Sequence, residues 1–255
     1  MKRIILFTFI LLFITFNTAF ASNPSRSSIP LIGDPAPSFV AETTHGTLHF
    51  PEDYGRNWKI LLAHPRDFTP VCSSEILELA YLQRDFEMLG AKLVVVSTDA
   101  LESHFLWKEA LEEVPFRNRP PVKINFPLVE DEAYVITDLY GMTHPEAKRG
   151  KNIRGVFLID RDNKVRAMYF YPAETGRNMD EIKRTLMALQ KTDDDFNVMT
   201  PANWEPGDPV MIPFTTPVME EYLHEENSLY FQYNWFMTYS FEPKGYPLEE
   251  QTTVE

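Results

Sequence analysis

Two short apolar runs with a helical segment between them constrain this chain more than any other feature. "WKILLAHP" (58–65) is ended by a proline, and "AKLVVVSTD" (91–99) is its counterpart; both read as buried strands. Between them Ile76, Leu79, Ala80, Leu82, Phe86 and Leu89 recur at helical spacing, and Gly90 stands where such a helix should stop. The pattern then repeats. "LESHFLWKEALEEV" (101–114) and "DEAYVITDLYG" (131–141) have helical character. Val156–Ile159 and Val165–Tyr171 are β-rich around the turn residues 160–163, which predicts a hairpin. Asn178–Lys191 is an amphipathic helix with Ile182, Leu186 and Leu189 on one face. This order of elements requires an α/β architecture, a central sheet with helices on its faces.

The two ends differ from this middle. Lys2 and Arg3 precede an apolar run from Ile4 to about Phe16, and Ala19-Phe20-Ala21 follows as a small-x-small pattern. That is the plan of a signal peptide over residues 1–21, and the run is short for a membrane span of about 20 residues. Export with cleavage near Ala21 is expected, to the periplasm or the secretory pathway, with no stable membrane span afterwards. Residues 22–35 read as a loose Ser/Pro-rich leader and 36–192 as the α/β domain. From 193 to 255 a small C-terminal domain is expected. Prolines break its first part. "LYFQYNWFMTYSFE" (229–242) then alternates like a single strand burying an aromatic face.

The formal charge is −13, and losing residues 1–21 removes two cations and no acid, which takes it to −15. A chain this acidic, with no basic block, is excluded from the nucleic-acid binders. Its six histidines show no metal-ligand spacing, and no cofactor is expected; His104 and His144 read as surface or satisfied core residues.

Cys72 is the single cysteine. In an exported chain it is a buried inert group, an intermolecular link or a reactive thiol. Its setting favours the last. Thr69 is a good helix N-cap residue and Pro70 suits the first helical position, so Cys72 falls in the first turn. Unpaired backbone N–H groups and the positive end of the helix dipole there favour a thiolate.

Pro65-x-x-x-Thr69-x-x-Cys72, within "HPRDFTPVCSSE", resembles the active-site motif of the peroxiredoxins, and the full string resembles their one-Cys branch (alkyl hydroperoxide reductase/thiol-specific antioxidant family). "NIRGVFLID" places Arg154 where that family keeps an arginine. "YPAETGRNMDEIKR" (171–184) and "TPANWEPGDPVMI" (200–212) resemble its later segments. The resemblance implies a thioredoxin-like fold, with a central mixed sheet flanked by helices and a small C-terminal domain. It implies a thiol-dependent peroxidase whose Cys72 becomes a sulfenic acid and is reduced by an external thiol or other small reductant. Thr69, Arg154 and Pro65 would share the catalytic site, and the protein would be a homodimer. Glu75 is expected to orient Arg154 or Thr69, or else to compensate the helix dipole, and His64 to support the sulfur. A non-enzymatic peroxide sensor or holdase using the same cysteine is the alternative. A cysteine hydrolase would need a His base near Cys72 with a carboxylate behind it. Some members of the branch are credited with a lipid acyl-hydrolase activity resting on Gly-Asp-Ser-Trp. Gly55-Arg56-Asn57-Trp58 stands there instead, so that activity is not expected.

Overall fold

The computed structural model describes residues 29–143, 153–195, 197–213 and 229–241. The expected signal peptide and His144 lie outside the described residues.

The two apolar runs become β3 (Trp58–Ala63) and β4 (Ala91–Ser97), joined through α1 (Pro70–Met88) and paired in parallel. Gly90, at φ 65, follows the end of α1 in the left-handed region that a non-glycine residue would strain to adopt. The chain continues through α2 (Leu101–Leu111), β5 (Leu128–Glu130), α3 (Val135–Leu139), the hairpin β6 (Arg154–Ile159) and β7 (Val165–Tyr171), and α4 (Met179–Asp194). Ahead of these lies a hairpin of β1 (Phe39–Thr43) and β2 (Gly46–Phe50), which the pattern analysis did not anticipate. The strands form one mixed sheet in the order β2-β1-β5-β4-β3-β6-β7.

All six residues of β3 are buried, because it is central and both of its faces are covered. Ile60 and Leu62 face one cluster with Ile76, Leu79 and Phe86 of α1, Trp107 of α2 and Ile182 and Leu186 of α4. Leu61 and Ala63 face the other, with Phe39, Phe50, Ile136 and Tyr140. The end of β3 and the start of α1 are thereby fixed in the middle of the molecule, where Cys72 lies. This is the thioredoxin-like fold expected from the resemblance.

Two expectations are corrected. The leader over 22–35 is tied down in its last residues: Gly33 N–H donates to Val165 O at 2.8 Å and Val165 N–H to Asp34 O at 3.0 Å. The alternating segment 229–242 is not one strand but a hairpin, β9 (Tyr230–Asn234) and β10 (Met237–Ser240), which forms a three-stranded sheet with β8 (Val210–Ile212) in the order β8-β10-β9. Its rings do share a face, with Phe231 stacked on Tyr239 at 5.1 Å. The residues buried, however, are Thr238 and Ser240, while Tyr233, Trp235, Phe236 and Phe241 are exposed. The segment ahead of this sheet packs Val198, Trp204 and Val210 on Ala188 of α4, and Arg184 donates to Trp204 O at 2.8 Å. Among the described residues no helix is long and apolar enough to cross a membrane.

Candidate active site

The loop 64–69 leaves β3 and turns into α1. Thr69 has extended backbone angles and Pro70 is the first helical residue, as expected. Thr69's side chain, however, does not cap the helix; its hydroxyl donates backwards to Arg66 O at 2.9 Å. Cys72 lies in the first turn and is fully buried, and Pro65, seven positions earlier, is buried as well.

Arg154, the first residue of β6, reaches the sulfur from across the sheet: its Nη1 lies 3.3 Å from Cys72 Sγ and donates to Glu75 Oε2 at 2.7 Å. Its Nε and Nη2 are held by Ala173 O at 2.9 and 2.5 Å. One guanidinium therefore touches the sulfur while its remaining donors fix its plane. Of the two partners expected for Glu75, one turn after Cys72, Arg154 is the one that meets it. The dipole reading falls away, since α1 has no acidic residue in its first turn.

Arg177 is the residue that sequence reasoning missed. It donates to Glu75 through its backbone N–H (2.7 Å), Nε (2.9 Å) and Nη2 (2.7 Å), and its Nη1 donates to Ala63 O at 2.9 Å and Gly155 O at 2.8 Å. It sits inside the quoted segment 171–184, but a lone arginine in a loop before a helix carries no signal of its own. Burial pushes the Glu75 carboxyl up, yet Arg177 and then Arg154 outweigh it and hold the group below the usual carboxylate range. The cluster is thus two guanidiniums on one carboxylate. Its surplus positive charge stands against the sulfur, through Arg154 Nη1.

His64 enters a second buried network. Its Nε2 lies 2.9 Å from Asp67 Oδ1, while Asp67 Oδ2 takes Ser103 Oγ at 2.9 Å and His104 Nδ1 at 2.7 Å. His104 is a satisfied core residue, as one of its two readings had it. His64 Nδ1 is buried with no partner among the described residues. A carboxylate does stand behind His64, as a hydrolase would require, but the sulfur's partner is Arg154. His64, Asp67 and Asp99 bring ligand atoms within 4.8 Å of one another. Hydrogen bonds already occupy those donors, so the set reads as a hub rather than a metal centre.

A polar cleft of 480 Å3 opens beside Glu75 and Arg177, bordered by Glu78, Arg117 and Arg119. The larger cavity, 730 Å3, lies against the far half of α1, between Tyr81, Arg84, Lys92 and Phe126, away from the sulfur.

The comparisons agree with this geometry. The AhpC/TSA family matches residues 32–168, and the C-terminal domain of 1-Cys peroxiredoxin matches residues 188–224. A peroxiredoxin of Methanosarcina mazei is 42% identical over 212 residues, covering 82% of this chain and 96% of its own length. A 1-Cys peroxiredoxin of Dictyostelium discoideum is 39% identical over 181 residues, 71% of this chain and 73% of its own. The solved structure of a yeast mitochondrial 1-Cys peroxiredoxin aligns with a TM-score of 0.70 at 32% identity, over 83% of this chain and 99% of that one. With one cysteine set against a buried arginine in this fold, and a relative 42% identical matched along 96% of its own length, the chain belongs to the peroxiredoxins of the 1-Cys type.

Proposed function

We propose that Cys72, Arg154 and Thr69, shielded by Pro65, carry out the thiol-dependent peroxidase reaction of this peroxiredoxin. The Cys72 thiolate attacks the terminal oxygen of a hydroperoxide, the S–O bond forms and the O–O bond breaks. The departing alkoxide or hydroxide takes up a proton, which leaves an alcohol or water and a Cys72 sulfenic acid. The observation that carries this reading is Arg154 Nη1 at 3.3 Å from Cys72 Sγ, with the rest of the guanidinium fixed. A fixed positive donor at the reacting atoms stabilises the charge that moves onto the departing oxygen.

Cys72 is the only cysteine in the chain, so its sulfenic acid is resolved from outside. An external thiol condenses with it to a mixed disulfide and releases water, and a second thiol restores Cys72. The yeast mitochondrial relative is resolved through glutathione and thioredoxin systems, and a thiol of that kind is the proposed reductant here. The direct test is hydroperoxide consumption with a small thiol by the wild type and by Cys72→Ser. Turnover that survives the substitution would sink the assignment.

The finer proposals are export after cleavage near Ala21, and a homodimer. The n-region, apolar run and Ala19-Phe20-Ala21 support the first, and a mature chain that does not begin near Ser22 would refute it. The exposed aromatic face of the C-terminal hairpin supports the second, with another copy of this chain covering it. A monomer in sizing experiments at micromolar concentration would contradict it.

A further inference from the structure

The loop that carries Pro65 and Thr69 from β3 into α1 is held by Asp67. Its side chain is 1% exposed and accepts from three side-chain donors on two elements: His64 at the end of β3, and Ser103 and His104 on α2. Its backbone N–H donates to Asp99 Oδ2 at 2.8 Å, and Ser97 Oγ donates to the same oxygen at 3.0 Å. A carboxylate this deep is costly unless its charge is compensated.

The hydrogen bonds show where the compensation comes from. His104 is fully buried, with Nδ1 on Asp67 Oδ2 at 2.7 Å and Nε2 on the Val129 carbonyl at 3.2 Å. Both partners are acceptors, so a ring that makes both hydrogen bonds donates from each nitrogen. His64 differs. Its Nε2 donates to Asp67 Oδ1, and its Nδ1 meets no partner among the described residues, so one proton suffices. A second imidazolium on the same carboxylate would leave an uncompensated buried positive charge and an orphan N–H.

We propose that His104 is a positioning residue for the peroxidase site: as the doubly protonated partner of Asp67 it neutralises that carboxylate and keeps His64 uncharged at the root of the loop carrying Pro65 and Thr69. The inference rests on the peroxidase reading, since it assigns His104 to that reaction. The charged groups facing His64 are Asp67 on its own loop, Asp99 after β4 and His104 on α2, and its ring packs on neutral Trp107 at 5.0 Å. Burial holds His64 below the ordinary imidazole range, the two carboxylates oppose that, and His104 adds to it. Without a cation at position 104, Asp67 draws a proton onto His64 instead.

Two measurements decide it. Nitrogen NMR of the resting wild type at neutral pH should show both ring nitrogens of His104 protonated and only Nε2 of His64. The pH profile of hydrogen peroxide reduction should change in His104→Gln: the second-order rate constant falls about tenfold on the acidic side of an inflection that the wild type lacks. Asp67→Asn combined with His104→Gln should abolish that inflection, because nothing then draws the proton. A neutral His104 in the wild type overturns the proposal, as does a His104→Gln rate that is unaltered or reduced equally at every pH. Should the variants fail to fold, the NMR result on the wild type decides. Absence of peroxide consumption by the wild type would sink the peroxidase reading instead, and it is seen before any variant is made.

Discussion

Two buried polar clusters flank the same short loop, and they are built from different chemistry. On one side Glu75 is shared by Arg154 and Arg177, whose remaining donors are fixed by the carbonyls of Ala63, Gly155 and Ala173. On the other Asp67 is shared by His64 and His104, with one ring nitrogen left over. The arginine cluster keeps its charge at every physiological pH, presents a surplus positive charge to the sulfur and is anchored to strand backbone. The imidazole cluster lies behind the loop and is built from two rings that share one carboxylate. The contrast separates two tasks. Activating a thiolate calls for a charge that does not come and go, whereas holding a loop calls only for satisfied hydrogen bonds.

The largest effect expected from breaking this contrast is on the arginine side. Arg154→Ala should lower the second-order rate with hydrogen peroxide about a hundred- to a thousandfold, the scale of losing a fixed donor to a developing oxyanion. Arg154→Lys should recover only part, because an ammonium cannot hold sulfur, Glu75 and Ala173 O together. Stopped-flow kinetics measures both, and a loss below tenfold in the alanine variant would remove the guanidinium from the transition state. Next comes Arg177→Met. It leaves Glu75 with one counter-charge and two strand carbonyls unpaired, so stability should fall by about 3–5 kcal/mol in urea unfolding. The rate of the folded fraction should fall less than in Arg154→Ala, because Arg177 meets Glu75 and not the sulfur. Equal rate losses would merge the two roles.

Much of this was legible in the sequence because local signals and global packing agree there. β3, α1 and β4 were read from apolar runs and helical spacing, and Pro70 marked the helix start that places Cys72. Arg154 was found only through its resemblance, since nothing local tells a buried arginine from a surface one. Arg177 escaped because its importance lies wholly in partners that are 22 to 114 positions away. The C-terminal hairpin escaped for another reason. Its turn lies at Trp235 and Phe236, without glycine or proline, and the rings of both arms share one face, so the alternation runs on as in a single strand. The hydroxyl of Thr69 was misread as a cap because composition names a capping residue without fixing its rotamer.

The clusters should also separate on acidification. His64 is held below its ordinary value of 6.5, chiefly by burial, so the unfolded chain takes up that proton first. Its contribution to stability is complete above 6.5 and is lost as pH falls below it. Glu75 is held below 4.5, so its contribution persists to that pH and fades as pH drops towards its lower folded value. Unfolding free energies measured against pH should therefore fall in two stages. The difference between wild type and His64→Gln should change between 6.5 and 4.5, and that between wild type and Glu75→Gln below 4.5. A His64→Gln difference that stays constant down to 4.5 would mean that the histidine titrates alike in both states.

The smallest expected effect falls on Thr69, which stands between the two clusters. Its hydroxyl spends its proton on Arg66 O at 2.9 Å, so the oxygen keeps its lone pairs for a neighbouring donor. Thr69→Val removes that bond at a half-exposed position and should cost about 1 kcal/mol of stability. A true cap would cost up to about 2 kcal/mol. If the oxygen also helps to hold the peroxide, the rate should fall about tenfold, a further ~1.4 kcal/mol that stability does not register. Thr69→Ser should recover most of both. A valine variant that loses ~2 kcal/mol while keeping its rate would return Thr69 to the capping role. It would also leave Arg154 as the side chain that meets both the sulfur and the incoming oxygens.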